Sequence, residues 1–263
     1  MTILVHISDV HFGDADSAKL EAAIGAFEKI KPDCVLLTGD LTQEGKREEF
    51  AQAEAWLKAV KAPIVGCPGN HDTPMFNLAQ RLANPFDRYN RLGLRTTWQS
   101  SDGSIHIEAA NSARGLQWRL DWSQGDYGQP GVIKALDRLG RSHARHKVLA
   151  LHHPPQTPTG ASVTSKPLGL MRFVRHLNLN QPDLLLCGHV HAAFDFPAPV
   201  LAGVRVMTAP SLASSRERGF GSGFGVVNFA ADSRTIARTI WRYQEGSFKE
   251  VTEPSKSTAD ISG

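Results

Sequence analysis

Short continuous apolar runs separated by amphipathic stretches constrain this chain of 263 residues more than any other feature. Leu4 to Ser8, Cys34 to Thr38 and Ile64 to Cys67 read as strands. Between them, Ala18 to Ile30 and Gly45 to Val60 place Leu20, Ala23, Ile24 and Phe27, then Phe50, Ala53, Trp56, Leu57 and Val60, at helical spacing. Strands that alternate with helices are joined by crossovers, which makes them parallel and buried on both faces. The middle is less regular: Pro85 to Leu92 reads as a short helix, Thr96 to Gln99 and Ile105 to Ala110 as strands, and Val132 to Leu139 as a helix. Lys147 to Leu151 and Leu184 to Cys187 read as buried strands flanking a helix over Leu168 to Leu177. Val204 to Thr208, Gly225 to Phe229 and Thr235 to Arg242 read as antiparallel strands. With no internal repeat and no long linker, residues 1–254 are expected to form one domain and 255–263 a polar tail.

Five polar clusters follow these strands. They are Asp9-Val10-His11, Gly39-Asp40, Gly69-Asn70-His71-Asp72, His152-His153-Pro154-Pro155 and Gly188-His189-Val190-His191. Open α/β sheets gather their ligands beyond the carboxyl ends of strands, where all five clusters lie. Asp9 and His11 are two apart in what reads as an extended stretch, so their side chains are expected on one side, and His189 and His191 repeat the spacing. Asp40 has two oxygens with which to bridge two cations, and Asn70 adds an amide oxygen. Nitrogen and oxygen donors without thiolate suit Mn, Fe, Zn or Co rather than a structural cysteine-rich zinc site. Gly39, Gly69 and Gly188 each precede a ligand type, where a side chain would obstruct a tight turn or a close approach. Any one cluster is a common turn or loop. Five in this order, holding six of the eleven histidines, are not.

Composition removes competing classes. Lys and Arg total 29 against 26 Asp and Glu, and the basic residues are scattered, so no nucleic-acid footprint stands out. Cys34, Cys67 and Cys187 lie in apolar strand-like stretches and read as reduced core residues, not a disulfide framework. The chain enters a strand pattern at once, without the features of a secretion leader, and holds no apolar run of the ~18 residues that a membrane span needs. A cytoplasmic location is the expectation.

The ordered set D-x-H, G-D, G-N-H-[DE], H and G-H-x-H resembles the calcineurin-like metallophosphoesterases, with motifs covering about Ile3 to His191. The His-His-Pro-Pro segment and Ala209 to Ser211 are similar to the class III cyclic-nucleotide phosphodiesterase branch, which also contains glycerophosphodiesterase-like enzymes. The resemblance implies a four-layer α/β/β/α sandwich of two mixed sheets flanked by helices. It further implies two divalent or trivalent transition-metal ions, with Asp9, His11 and His191 on the first, Asn70, His152 and His189 on the second, and Asp40 bridging. His153 would have a structural role or support a ligand from behind, and His71 would face the phosphoryl oxygen or leaving group as catalytic acid, with Asp72 either orienting it or capping the following helix. Position 43 is Gln where the family pattern has Asp, which puts a supporting contact in doubt.

The implied reaction is hydrolysis of a small phosphodiester, a cyclic nucleotide first among the options, by in-line attack of a metal-bridging hydroxide. A phosphomonoesterase, a glycerophosphodiester or phospholipid-type hydrolase, and a non-catalytic scaffold of the same fold are the alternatives. A homodimer is consistent with the resemblance and is not written in the residues. Arg114 is a candidate partner for a substrate phosphate, although a solvated Arg is the commoner outcome, and Trp118, Trp122 and Tyr127 are candidates for an aromatic wall or for core packing.

Overall fold

The computed structural model describes residues 1–117, 121–215 and 219–251. Trp118 and the tail at 255–263 lie outside the described residues. The first half follows the expected alternation: β1 (Thr2–Ile7), α1 (Ser17–Ile30), β2 (Cys34–Thr38), α2 (Arg47–Ala59) and β3 (Ile64–Cys67). Asp16 caps α1 by accepting from the Ala18 N–H, and Glu49 closes the start of α2 by accepting from the Lys46 N–H. Both helices turn their apolar stripes onto the sheet.

Two short helices, α3 (Leu78–Ala83) and α4 (Asp87–Asn90), lead to β4 (Thr97–Gln99) and β5 (Ile105–Ala109). Then come α5 (Pro130–Arg141), β6 (His146–Ala150), α6 (Leu170–Asn180), β7 (Leu184–Cys187), β8 (Asp195–Ala198), β9 (Val204–Thr208), β10 (Gly223–Phe229), β11 (Ile236–Gln244) and β12 (Ser247–Val251). One sheet has the order β12-β11-β10-β1-β2-β3 and the other β4-β5-β6-β7-β9-β8. Both are mixed: β1, β2 and β3 are parallel, and so are β5, β6, β7 and β9, with antiparallel strands outside them.

Three apolar layers hold this together. Val5, Ile7, Val35 and Leu37 meet Leu20, Phe27, Phe50 and Leu57 of α1 and α2. The opposite faces, Leu4, Leu36 and Val65, pack on Ile107, Val148 and Leu186 of the second sheet. Leu149 and Leu185 then meet Val132, Leu136 and Phe173 of α5 and α6. The strands alternate their side chains between two apolar layers, which is why they read as unbroken apolar runs. The result is the expected α/β/β/α sandwich. One expectation fails in part: Val204 to Thr208 leaves the antiparallel group and joins the second sheet parallel to β7. Its antiparallel partner is β8, a strand that the sequence hides because Pro197 interrupts it.

Candidate metal centre

All five polar clusters sit where predicted, immediately after β1, β2, β3, β6 and β7, and the two sheets bring them together at one edge. The route to convergence differs from the extended geometry expected. Asp9 (φ 51°), His11 (φ 57°), Asp40 (φ 50°), His189 (φ 70°) and His191 (φ 55°) are all left-handed, and they make up five of the eight non-glycine residues of positive φ among the described residues. Asp and His enter this region more readily than most residues, yet each still costs about 1 to 3 kcal/mol, so the surrounding structure must enforce it. Backbone hydrogen bonds do so: the N–H of Asp9 donates to the Gly39 carbonyl at 3.0 Å and that of His11 to the Asp40 carbonyl at 3.1 Å. Two glycines make room. A β-carbon on Gly69 would collide with the Asp40 carboxylate, and one on Gly188 with Ser8 and Asp9.

Three groups of buried side chains place potential ligand atoms within 4.8 Å of one another: Asp9, His11 and His191; Asp9, Asp40 and His152; and His152, His153 and His189. Asp9 Oδ1 lies 3.2 Å from His191 Nε2, and the Nε2 atoms of His11 and His191 are 3.3 Å apart. Asp40 Oδ2 lies 3.2 Å from His152 Nε2. Asp9 Oδ1, Asn70 Oδ1 and His152 Nε2 are buried without a hydrogen-bond partner. Lone pairs crowded together and left unsatisfied are what cations between them would engage, so the residues fit a metal pair. Cys67 and Cys187 add no thiolate, because burial pushes both thiols far up.

The charges agree with this use. Burial pushes His11 and His189 down to about 4, which leaves both imidazoles neutral with a lone pair to give. Burial opposes ionisation of Asp40, but the neighbouring His152 and His71 overcome it and hold the carboxylate well below its usual range. Asp9 is held low against burial in the same way by His191. His152 is the exception: burial works downward, but the Asp40 carboxylate reverses it to about 9, so a cation bound at its Nε2 has to displace a proton that Asp40 otherwise holds there.

The neighbours of the candidate ligands have defined tasks. His152 Nδ1 donates to the Thr38 carbonyl at 2.7 Å and His189 Nε2 to the Thr164 carbonyl at 3.2 Å, fixing the tautomer of each ring. His153 stands in one of the close groups, but both its nitrogens are engaged: Nε2 donates to the Ser123 carbonyl at 2.7 Å, and Nδ1 accepts from Ser112 Oγ at 2.9 Å. That leaves it no lone pair for a metal and supports a structural role. His71 Nδ1 donates to the Gln43 carbonyl at 2.7 Å, and its N–H donates to Asp40 Oδ1 at 2.8 Å. The supporting contact at position 43 therefore comes from backbone, which Gln supplies as well as Asp.

Asp72 does neither of the things expected of it. Asn77 caps α3, and the Asp72 carboxylate instead accepts the N–H groups of Thr42 (2.9 Å), Gly69 (2.9 Å) and Leu41 (3.3 Å), tying the loop after β2 to the loop after β3. Burial and the Asp40 charge raise it to about 6 against these bonds. Sequence reasoning missed this tie, because the Leu41 and Thr42 N–H groups that it reaches are backbone donors about 30 residues away. Arg114 is paired with Asp126 at 2.5 Å. Tyr127 is fully buried against Phe173 and donates to the His153 carbonyl, so it is core and not a wall, while Trp122 stacks with Arg81.

The sequence pattern described as calcineurin-like phosphoesterase matches residues 2–193. A "probable cyclic nucleotide phosphodiesterase" of Vesicomyosocius okutanii subsp. Calyptogena okutanii (strain HA) is 25% identical over 249 residues, 90% of this chain and 98% of its own length. A "probable glycerophosphodiester phosphodiesterase" of Arcobacter nitrofigilis is 29% identical over 173 residues, 62% of this chain and 58% of its own. Among solved structures, a dimetal phosphatase from Danio rerio has a TM-score of 0.62 at 13% identity, over 91% of this chain and 95% of that one, a likeness of fold alone.

Proposed function

This chain belongs to the calcineurin-like phosphoesterases, and from that membership we propose that it hydrolyses a small phosphodiester, a cyclic nucleotide first among the substrates to test. It is a metal-dependent hydrolase by fold and family. In our reading Asp9, His11 and His191 hold one transition-metal ion, Asn70, His152 and His189 the other, and Asp40 bridges them. When bound, the pair supplies the Lewis acidity that activates water near neutral pH and neutralises charge on the phosphoryl oxygens.

The remaining work falls to the chain. Buried, pre-oriented donors hold the phosphate in line for attack without reorganising during the reaction. His71 carries one proton at Nδ1 for the Gln43 carbonyl, which leaves Nε2 to hold a second proton and give it to the leaving oxygen. The observation that carries this reading is the meeting of residues from four separate loops around unsatisfied buried lone pairs, with the Asn70 loop tied to Asp40 through the His71 backbone N–H. The names of the two relatives, both phosphodiesterases, favour a diester over a monoester.

Protein reconstituted with Mn²⁺ and given bis(4-nitrophenyl) phosphate and 4-nitrophenyl phosphate tests it, followed by a screen of cyclic nucleotides and glycerophosphodiesters. We expect faster turnover of the diester. Faster turnover of the monoester defeats the diesterase reading, and no hydrolysis of either by metal-loaded protein favours a non-catalytic scaffold.

A further inference from the structure

The edge of the second sheet remote from the candidate centre carries a cleft that the reaction above does not use. It measures about 520 Å³ and lies where the C-terminal end of α5 meets the turn between β4 and β5. Clefts of ~300 to 1,000 Å³ are the size that holds small molecules. The strands β5 and β6 are parallel and β6 points its carboxyl end at the candidate centre, so His106, near the start of β5, lies at the opposite edge. Ile105 and Ile107 turn into the layer between the sheets, which turns His106 and Glu108 toward α5.

The wall of this cleft contains a buried carboxylate that is fully answered and an imidazole that is not. Arg138 Nε and Nη2 donate to Glu108 Oε2 at 2.9 and 2.6 Å, and His106 Nε2 donates to Glu108 Oε1 at 3.0 Å. A proton at Nε2 leaves His106 Nδ1 with a lone pair. His106 is only 7% exposed, and Nδ1 has no hydrogen-bond partner among the described residues. An acceptor buried in that state costs about 1 to 3 kcal/mol, and a hydroxyl brought by a ligand would satisfy it.

Donors converge on the same cleft. Arg138 and Arg141 are three apart in the last turn of α5 and share a face, His143 reaches in from the loop before β6, and Gln99 from the end of β4. Arg141 and His143 are exposed, and neither has a hydrogen bond or ion pair among the described residues. No acid is among the described residues that line the cleft. Asp102 is engaged within the turn by Ser100 and Ser104, and Asp137 faces His176 of α6. Cations in the last turn also suit the helix dipole, but that use requires neither a cleft nor a buried imidazole beside them.

We propose that this cleft is a second binding site, for a small hydroxylated phosphomonoester whose phosphoryl group meets Arg138, Arg141 and His143 and whose hydroxyl donates to His106 Nδ1. A phosphoryl group accepts through three oxygens from several directions, which suits donors arriving from a helix, a loop and a strand better than a planar carboxylate does. The choice of ligand rests in part on the proposed function. Hydrolysis of a cyclic nucleotide or of a glycerophosphodiester releases an ester of this class, so the cleft holds the kind of molecule that the centre at the opposite edge produces.

Calorimetry on the Mn²⁺-reconstituted full chain tests this, with sn-glycerol 3-phosphate and adenosine 5′-monophosphate as titrants. Binding of at least one is expected, the tighter of the two identifying the product that the cleft takes, and binding of neither overturns the proposal. In the variant carrying Arg141→Gln and His143→Gln, one binding event should weaken at least about tenfold while hydrolysis of bis(4-nitrophenyl) phosphate stays at the parent rate. An isotherm identical in parent and variant overturns the proposal. So does inorganic phosphate that binds the same site as tightly as either ester, because the hydroxyl then contributes nothing. Should the variant not fold, crystals of the parent grown with the tighter ester decide: density between Arg141 and His106 is expected, and density at the metal centre alone overturns the proposal. The two readings fail separately. Turnover without binding in the cleft sinks this inference alone, and binding in the cleft without turnover of any diester sinks only the proposed function.

Discussion

The two halves of the candidate centre are held in place by different means. Left-handed backbone places Asp9, His11 and His191 in one half and His189 in the other, so what separates the halves is the far ring nitrogen: His191 Nδ1 has no hydrogen-bond partner among the described residues. In the other half, His152 and His189 each tie the second ring nitrogen to a backbone carbonyl, Thr38 or Thr164. Backbone conformation sets where an imidazole begins, whereas a hydrogen bond to its far nitrogen sets the tautomer and the direction of the lone pair. The carbonyl-braced half is therefore the better organised for a cation, and the comparison can be broken by experiment.

The largest expected effect separates ligation from proton transfer. His71→Ala should lower turnover by about 10² to 10⁴ while both metals stay bound, and His189→Ala should cost one metal together with activity. Turnover and metal content measured on the same samples check this, and loss of metal from the His71 variant would make His71 a ligand. Next, graded chelation should remove the ion of the Asp9, His11 and His191 half first, with affinities separated by about 10- to 100-fold. Metal release followed by Mn²⁺ paramagnetic resonance would show two steps, and a single step would erase the distinction between the halves.

A smaller effect concerns the tie between loops. Asp72→Ala leaves the Leu41, Thr42 and Gly69 N–H groups without their acceptor and should lower stability by about 3 kcal/mol in urea unfolding. Asp72→Asn keeps an acceptor oxygen and should lose less. If both variants match the parent, the tie does not hold the loops.

The last effect, smallest for any single pH unit, is in pH dependence. Burial, assisted by the Arg238 charge, pushes His6 from 6.5 down to about 3. As pH falls below 6.5 the unfolded chain takes up this proton while the folded chain does not, so stability present at neutral pH is lost progressively toward pH 3. His6 alone should contribute a slope of about 1.4 kcal/mol per pH unit in that window. His6→Gln should flatten the urea midpoint against pH by that amount, and an unaltered slope would show that His6 is not buried neutral.

Most of the fold was legible because strands buried on both faces leave continuous apolar runs, as in Leu36 and Leu37, and α1 and α2 keep their apolar residues at helical spacing. What escaped was set by tertiary contact. β8 contains Pro197 and forms by pairing with β9 at an edge, and α3 has no buried face to generate a periodic signal. At the site, the identities of Asp9, His11, Asp40, His189 and His191 were readable from the motifs, but their left-handed backbone was not, since a spacing of two looks the same in an extended chain. The acceptors that orient the rings, the Thr38, Thr164 and Gln43 carbonyls, carry no side-chain signature at all.

Everything above depends on paired ions held by loops from both sheets. Anomalous diffraction at the manganese edge, from crystals grown with Mn²⁺, tests this most directly. The account predicts two peaks per chain, one among Asp9, His11, Asp40 and His191 and one among Asp40, Asn70, His152 and His189. No peak at either position, or density bound elsewhere while these side chains remain unligated, would contradict it.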